Sequence, residues 1–289
     1  MLLLVGGDSE IGKIAMAQLG RRALATTRRP GGACDGRIVL DLADDLARWE
    51  PPAGVTSACI LAAVARLADC ARDPAGTALV NVGGTLALVE RLIARGVHVL
   101  FLSSDKVFDG ASPQVPTDAP TDPVSEYGRQ KARAETALRT HMQRGAPVAI
   151  LRLAKVVSPA TALLRDWTAA LAAGKQIRAF HDMTMAPVAA ATVVRAIDAL
   201  MTARASGIFQ LSGPRDVPYL DVGWFLAERL DADKTLVARA SLDEIDAPAG
   251  AGPRHTTLDS RALAERYGIA APDVWDVLAS VLDEPLRPA

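Results

Sequence analysis

A chain of 289 residues has room for one large domain or two small ones. Half of it is hydrophobic but only 4% is aromatic, so its core must be built from Ala, Val and Leu. A net charge of −1 argues against nucleic acid or an anionic membrane surface as partner, leaving room only for a local basic patch.

Leu2 to Val5 predicts a short strand, broken at once by Gly6-Gly7. Ile11, Ile14, Ala15 and Leu19 then recur at helical spacing. The turn between them, GGDSEIG, has small residues at 6, 9 and 12. A glycine-rich turn opening a helix brings backbone N–H groups and the positive end of the helix dipole to a phosphate. Gly12 lets helix and strand pack closely. Ser9 stands where a dinucleotide fingerprint has its middle glycine, and Asp8 is an unfavourable charge beside a pyrophosphate. An ordinary turn capped by Asp8 or Ser9 therefore stays open.

The next strand, Ala23 to Thr27, ends in TTRR. An acid there would hold the ribose 2′-hydroxyl of NAD, whereas arginine suits a 2′-phosphate. Arg28 and Arg29 follow the strand and no acid does, so NADPH is expected ahead of NADH. Two solvated arginines entering a Pro-Gly-Gly loop are the alternative. Ile38 to Leu40 makes a third strand, and Asp41 at its end either reaches an adenine or caps the next turn.

Ser57 to Ala65 reads as a fourth strand and its exit, with Ala62-Ala63 small enough for backbone to press on a cofactor. A long helix is expected from about Thr77 to Arg95, with Asn81 making a buried structural hydrogen bond. Val99 to Leu102 is an apolar run of the kind found in buried parallel strands. SSDKVFDG follows, then a Pro-punctuated link and a helix carrying Tyr127 and Lys131. Val148 to Leu153 makes the next strand. Strands alternating with helices predict an α/β fold, a Rossmann-type doubly wound parallel sheet with ligands at the carboxyl ends of its strands. The glycine turn, Arg28, Ala62, Ser104 and the end of the Val148 strand all map to that edge.

Spacing of four puts the Tyr127 phenol and the Lys131 ammonium on one helical face. A free phenol titrates near ~10, and a neighbouring cation lowers that value. A tyrosine so tuned can act as general acid or base, with Ser104 bonding the same substrate oxygen. The bare pair is weak evidence, because a surface Tyr packed on a Lys stem has the same spacing. Its weight comes from the motifs that converge with it on one edge.

Beyond Ser158-Pro159 the pattern loosens. Helices are expected at 162–173, 190–203 and 220–229, strands at 175–180 and 208–211, and a Pro/Gly-rich link at 247–253 before the C-terminal helices. Residues 1–157 would form the dinucleotide-binding domain. Residues 158–289 would mostly form a small substrate-binding lid, with some segments returning to the sheet. Arg152 is either a site residue or a buried hydrogen-bonding arginine.

Cys34, Cys59 and Cys70 are odd in number and sit at no metal-ligand spacing, so they read as reduced thiols. His98, His141, His181 and His255 are too scattered for a metal site. LLLVGG follows the first residue without a basic leader, and the longest apolar runs fall short of a bilayer span. A cytoplasmic protein is expected.

The chain resembles the extended short-chain dehydrogenase/reductase superfamily. The matching pieces, in family order, are GGDSEIG, DLAD, ILAAVA, NVGGTLALVE, FLSSDKVFDG, YGRQK and ILRLAKVV. SSDKVFDG is most similar to the dTDP-4-dehydrorhamnose reductase branch, which typically has Ser-Thr-Asp-Tyr-Val-Phe-Asp-Gly there. The similarity continues through HDMTMAPV, FQLSGPRDVPYLDVGWFLAERL and TTLDSRALAERYGI.

The resemblance implies Tyr127 as general acid, Lys131 lowering its pKa and bonding the nicotinamide ribose, and Ser104 orienting the carbonyl. It places Gly6, Gly7, Ser9, Glu10, Ile11 and Gly12 around the pyrophosphate. Asp41, Leu42, Ala62, Ala63, Ser103 and Leu153 complete the cofactor side. Lys155, His181 and Arg254 become candidates for a nucleotide-sugar diphosphate. Two departures stand out: the branch usually has Arg-Thr-Ser-Trp-Val-Tyr where this chain has RLAKVVS, so Lys155 replaces a sugar-facing Trp. NVGGTLALVE is closer to epimerases and dehydratases.

The expected activity is NADPH-dependent reduction of a 4-keto sugar nucleotide. A nucleotide-sugar epimerase that retains its cofactor and a non-catalytic NAD(P)-binding subunit are the alternatives. An acidic pair usual beside the dehydratase serine is here Asp105 and Lys106, which counts against dehydration. Oligomeric state is left open, a homodimer being the commonest symmetric arrangement.

Overall fold

A computed structural model describes residues 1–34 and 36–283. Six strands, β1 (Leu2–Val5), β2 (Ala23–Thr27), β3 (Arg37–Val39), β4 (Ser57–Ile60), β5 (His98–Ser104) and β6 (Val148–Leu153), join Gly207–Leu211 in one parallel sheet. From one edge to the other the order is Gly207–Leu211, β6, β5, β4, β1, β2, β3. The winding reverses between β1 and β4, the place where such sheets open a crevice for ligands.

Side-chain alternation divides the core into two layers. Leu4, Leu100, Leu102 and Leu151 face one layer, while Leu3, Phe101 and Ile150 face the other. The first layer is covered by α1 (Glu10–Leu19) and by the later helix Ala190–Thr202, through Ala15, Val193, Ile197 and Leu200. The second is covered by the helices between β4 and β5 and by the one that follows β5.

The segment joining β4 to β5 departs from the single helix expected. A short α2 (Leu67–Arg72) comes first, then α3 (Pro74–Ala78), a π-helical stretch at Leu79–Gly84 and α4 (Thr85–Ala94). Asp73 begins α3 by accepting the Gly76 N–H at 2.9 Å, with Pro74 in the first turn where no N–H is needed. The run Pro74–Ala94 is 21 residues long and apolar enough to cross a membrane by length and composition, contrary to the reading that no run reaches that size. In the fold it is a core helix: Leu88, Val89 and Leu92 are fully buried against the sheet. A Cβ at Gly84 would lie 1.7 Å from the Leu42 carbonyl oxygen, so only glycine permits this approach.

The next helix, α5 (Glu126–Gln143), starts where Ser125 accepts the Gly128 N–H. Its inner face carries Glu135, which meets Arg152 of β6 in a fully buried ion pair at 2.7 Å. The same guanidinium donates to Gln210 and to the Thr117 carbonyl oxygen, each at 3.1 Å. Arg152 is thus the buried hydrogen-bonding arginine, and it is not a site residue.

A third core gathers α6 (Ala162–Ala172), α8 (Tyr219–Arg229) and α10 (Val274–Asp283), while α7 (Ala190–Thr202) and α9 (Arg261–Tyr267) pack into the first layer. Trp167, Tyr219, Leu226 and Leu278 are the centre of this third core, beside the parallel pair Ile177–Phe180 and Val237–Ala240.

Candidate active site

The glycine turn forms at the carboxyl end of β1. Gly6 has φ +98°, and a Cβ there would strike the Ala62 backbone nitrogen at 2.8 Å, so the exits of β1 and β4 touch at the crevice. Ser9 caps α1, its oxygen accepting the Gly12 N–H at 3.1 Å. Among the described residues, the N–H groups of Glu10 and Ile11 have no partner, because a helix cannot satisfy its own first turn. These two donors at the positive end of a ten-residue helix are what a pyrophosphate needs. The Glu10 carboxylate turns the other way, accepting from the hydroxyls of Ser158 and Thr161.

At the exits of β2 and β3 the structure corrects one expectation. The sequence shows no acid after β2, yet Asp8 of the glycine turn swings to that edge. It accepts from Thr27 at 2.6 Å and from Arg37 at 2.7 Å, with Arg29 at 3.9 Å. The Thr27 hydroxyl above all holds the Asp8 carboxyl below its usual range; burial opposes it next, and the Arg37 and Arg29 charges tip the balance downward. Arg28 is exposed, while Arg37, which sequence reading passed over, is half-buried. Asp41 accepts the Ala43 N–H at 2.9 Å and so caps its turn, and the Leu42 side chain lies in the core, leaving only its backbone near the edge.

Asn81, in the π-helical stretch, makes the buried hydrogen bonds expected of it. It exchanges two with the Val64 backbone, at 2.8 and 2.9 Å, and donates to Gln130 at 2.7 Å. The loop that begins at Ala62-Ala63 is thereby tied to α5 between Tyr127 and Lys131.

The exit of β5 and the first turn of α5 meet at the heart of the edge. Ser104 caps a short 3₁₀ turn, Asp105–Val107, and donates to the Asp105 carboxylate at 2.8 Å. A Cβ at Gly128 would lie 2.0 Å from the Lys106 carbonyl oxygen, so Gly128 is what lets Tyr127 approach this turn. Gly128→Ala is expected to cost about 1–3 kcal/mol by overpacking and to lower turnover with it. Urea unfolding and steady-state rates on the same preparation check both.

Lys131 is buried, its Nζ 5.9 Å from the Tyr127 ring centre and 4.3 Å from that of Phe101, and it donates to the Leu102 carbonyl oxygen at 2.8 Å. Burial pulls the ammonium down to about 8, against the opposing charge of Glu135. The phenol moves opposite to expectation: burial first, then the Asp105 charge, push Tyr127 above its usual value. A desolvated ammonium already bonded to a carbonyl does not outweigh these. Ser103, one residue before Ser104, is buried with its hydroxyl unpartnered among the described residues.

Lys155 lies just beyond β6 and is half-buried, within electrostatic reach of Glu10, Lys106 and Asp105. Burial lowers its pKa. Leu153 pairs in register with Ser104. Among the described residues no hydrogen bond or ion pair joins His181 or Arg254 to this cluster, although Pro253 and His255, on either side of Arg254, line a slot beside Asp105 and Lys106. The His181 N–H donates to Ala240 beside the third core, and Arg254 is exposed, its carbonyl oxygen accepting from Thr184.

Two further groups escaped sequence reading. Tyr219, from α8, is raised to about 12 by burial first and then by the Asp105 charge. His255 bonds Asp216 at 3.1 Å and lines that slot with Asp105, Lys106 and Ser125. Tyr219 lies within FQLSGPRDVPYLDVGWFLAERL and His255 just before TTLDSRALAERYGI, but neither segment's pattern shows what it packs against.

The matches to known proteins fit this architecture. The family model described as RmlD substrate binding domain covers residues 1–286. The probable low-salt glycan biosynthesis reductase Agl14 of Haloferax volcanii is 32% identical over 220 residues, 73% of this chain and 72% of that protein. A dTDP-4-dehydrorhamnose reductase of Sinorhizobium fredii is 28% identical over 229 residues, 75% of each chain. Among solved structures, the dTDP-4-dehydrorhamnose reductase of Bacillus anthracis in complex with NADP superposes with a TM-score of 0.81 at 15% identity, covering 98% of this chain and 99% of that one. The fold is that of the extended short-chain dehydrogenase/reductases, and the chain belongs to the RmlD substrate binding domain family.

Proposed function

We propose that the protein reduces the carbonyl of a nucleotide-linked 4-keto sugar, using NADPH, with NADH as the alternative cofactor. The observation that carries this reading is the meeting of Ser104, Tyr127 and Lys131 at the sheet edge that also bears the glycine turn. The residues present suit a nicotinamide nucleotide: unpartnered N–H groups at Glu10 and Ile11, the close Gly6–Ala62 approach, and the orphaned Ser103 hydroxyl. Gly7, Ser9 and Gly12 shape the phosphate turn, and Ala62, Ala63 and Leu153 line the side toward the nicotinamide. Arg28, Arg29 and Arg37 favour a 2′-phosphate, with Asp8 competing for the last two. The relatives named as reductases support the class of reaction.

When bound, the nicotinamide nucleotide supplies the hydride. The chain's own part is to orient the carbonyl and deliver a proton to its oxygen. Tyr127 holds that proton firmly at neutral pH, because burial and Asp105 keep the phenol above its ordinary value. The alkoxide formed as the carbonyl is reduced is more basic still, so transfer from Tyr127 is favourable. Lys131, charged below about 8, stabilises the phenolate left behind. Ser104 steadies the same oxygen once its hydroxyl turns from Asp105.

The test is absorbance at the reduced-nicotinamide band with NADPH or NADH and a panel of nucleotide-linked 4-keto-6-deoxyhexoses. Steady consumption with a panel member is expected. Tight cofactor binding with no consumption, across the panel, would remove this reading.

A further inference from the structure

No acid follows β2 in the sequence, yet the fold brings one to its end from the glycine turn. Thr27 closes β2, and the end of that strand is where dinucleotide folds meet the adenosine ribose. The turn is stitched to the strand. The Gly7 N–H donates to the Thr26 carbonyl oxygen at 2.9 Å, and the Gly6 N–H to the Thr26 hydroxyl at 3.0 Å. A Cβ at Gly7 would lie 2.5 Å from that of Ala25, so glycine is what permits the approach. Asp8 is thereby set at the strand's end, where Thr27 donates to its Oδ2 and Arg37 to its Oδ1.

Nothing in the turn itself asks for a carboxylate there, because Ser9 is the residue that caps α1. A carboxylate offers about four acceptor positions, of which Thr27 and Arg37 take one each. The Asp8 side chain is 25% exposed, so an incoming donor can reach the others. A ribose 2′-hydroxyl is such a donor. A 2′-phosphate carries about two negative charges at neutral pH, only accepts, and is repelled. It needs the guanidinium of Arg37, whose Nη1 is held by Asp8 at 2.7 Å, and that of Arg29, 3.9 Å from the same carboxylate. The carboxylate and the two arginines thus pull cofactor choice in opposite directions.

We propose that Asp8 sets the cofactor preference, accepting the 2′-hydroxyl of NADH and holding Arg37 and Arg29 back from the 2′-phosphate of NADPH. The arginines lean the site toward NADPH, and the carboxylate limits how far. This rests on the nicotinamide-nucleotide reading and names the residue that chooses between its two cofactors. The lowered pKa of Asp8 agrees with it, since the carboxylate is then charged through the neutral range.

The test is calorimetric titration of NADPH and of NADH into the unaltered protein, Asp8→Asn and Arg37→Met. Asparagine keeps the shape and still accepts from Thr27, so the charge alone is removed. Far-UV circular dichroism checks that each variant is folded, and Asp8→Ser stands in should asparagine fail. In Asp8→Asn the ratio of NADPH to NADH affinity is expected to rise about tenfold or more, with NADPH tighter and NADH weaker. In Arg37→Met the ratio should fall about fivefold or more. A ratio unchanged within about twofold in either variant overturns the proposal. Equal tightening of both cofactors in Asp8→Asn overturns it too, since the charge would then act on the pyrophosphate they share. Equal weakening of both does the same, and leaves Asp8 only a part in shaping the turn. Failure of both nucleotides to bind the unaltered protein sinks the nicotinamide-nucleotide reading itself.

Discussion

Tyr127→Phe is expected to lower turnover about 10²–10⁴-fold while leaving cofactor affinity within about twofold. The substitution removes one oxygen and the proton it carries. The ring, its distance from Lys131 and the Gly128 approach to the Lys106 carbonyl all remain. The loss should therefore appear in kcat, with cofactor titrations overlaying those of the unaltered protein. Because burial and Asp105 hold the phenol high, the acid stays protonated through the neutral range. Its limb of the pH–rate profile accordingly falls only in strong alkali. Full turnover in Tyr127→Phe would exclude this side chain as the proton donor.

Arg152→Met is expected to destabilise the fold by about 3–5 kcal/mol, because it strands the Glu135 carboxylate in a fully buried site. It also leaves Gln210 and the Thr117 carbonyl oxygen each short of a donor. Replacing both partners, as Arg152→Met/Glu135→Leu, should recover much of that loss, since no buried charge is then left alone. Denaturant unfolding of the two variants decides it, and a double variant as unstable as the single one would contradict the argument. Function is involved too: Thr117 belongs to the link from the Ser104 turn to α5, and Gln210 pins the Val115 carbonyl oxygen of the same link at 2.7 Å. A loosened Arg152 would free the stretch that delivers Tyr127.

The first half of the fold was legible because its signals are local. Apolar runs bounded by glycine or charge mark Leu2–Val5 and Ala23–Thr27 to the residue, and the 3.6-residue recurrence marks α1 and the helix Ala190–Thr202. The helix α2 went unseen because LADCAR is short and has no side-chain cap at Arg66. The π-helical stretch went unseen because a lone Asn among apolar residues does not reveal how the backbone widens around it.

In the site, Ser104, Tyr127 and Lys131 could be named from a strand end and a helical spacing. The state of the phenol could not, because it depends on burial and on the orientation of Asp105. Asp8 reaching the exit of β2 is a contact across 19 residues, and the Asp105 charge acts on Tyr219 from more than a hundred residues away in the chain. Charge at such distances is set by tertiary packing, which no local pattern encodes.

The strand order also has a kinetic consequence. Of the strands in this sheet β1 is made first, yet one of its neighbours, β4, arrives only with residues 57–60. Gly207–Leu211 closes on β6 from about as far away, pairing Gly207 with Ala149. Each closure costs chain entropy before any pairing repays it, so a sheet of this order folds slowly for its size. During that interval β1 and β6 present unpaired edges of Leu, Val and Ile, the surface on which nascent chains most readily associate. Yield of the folded protein should therefore depend on synthesis rate and on chaperone capacity more than on the final stability of the sheet.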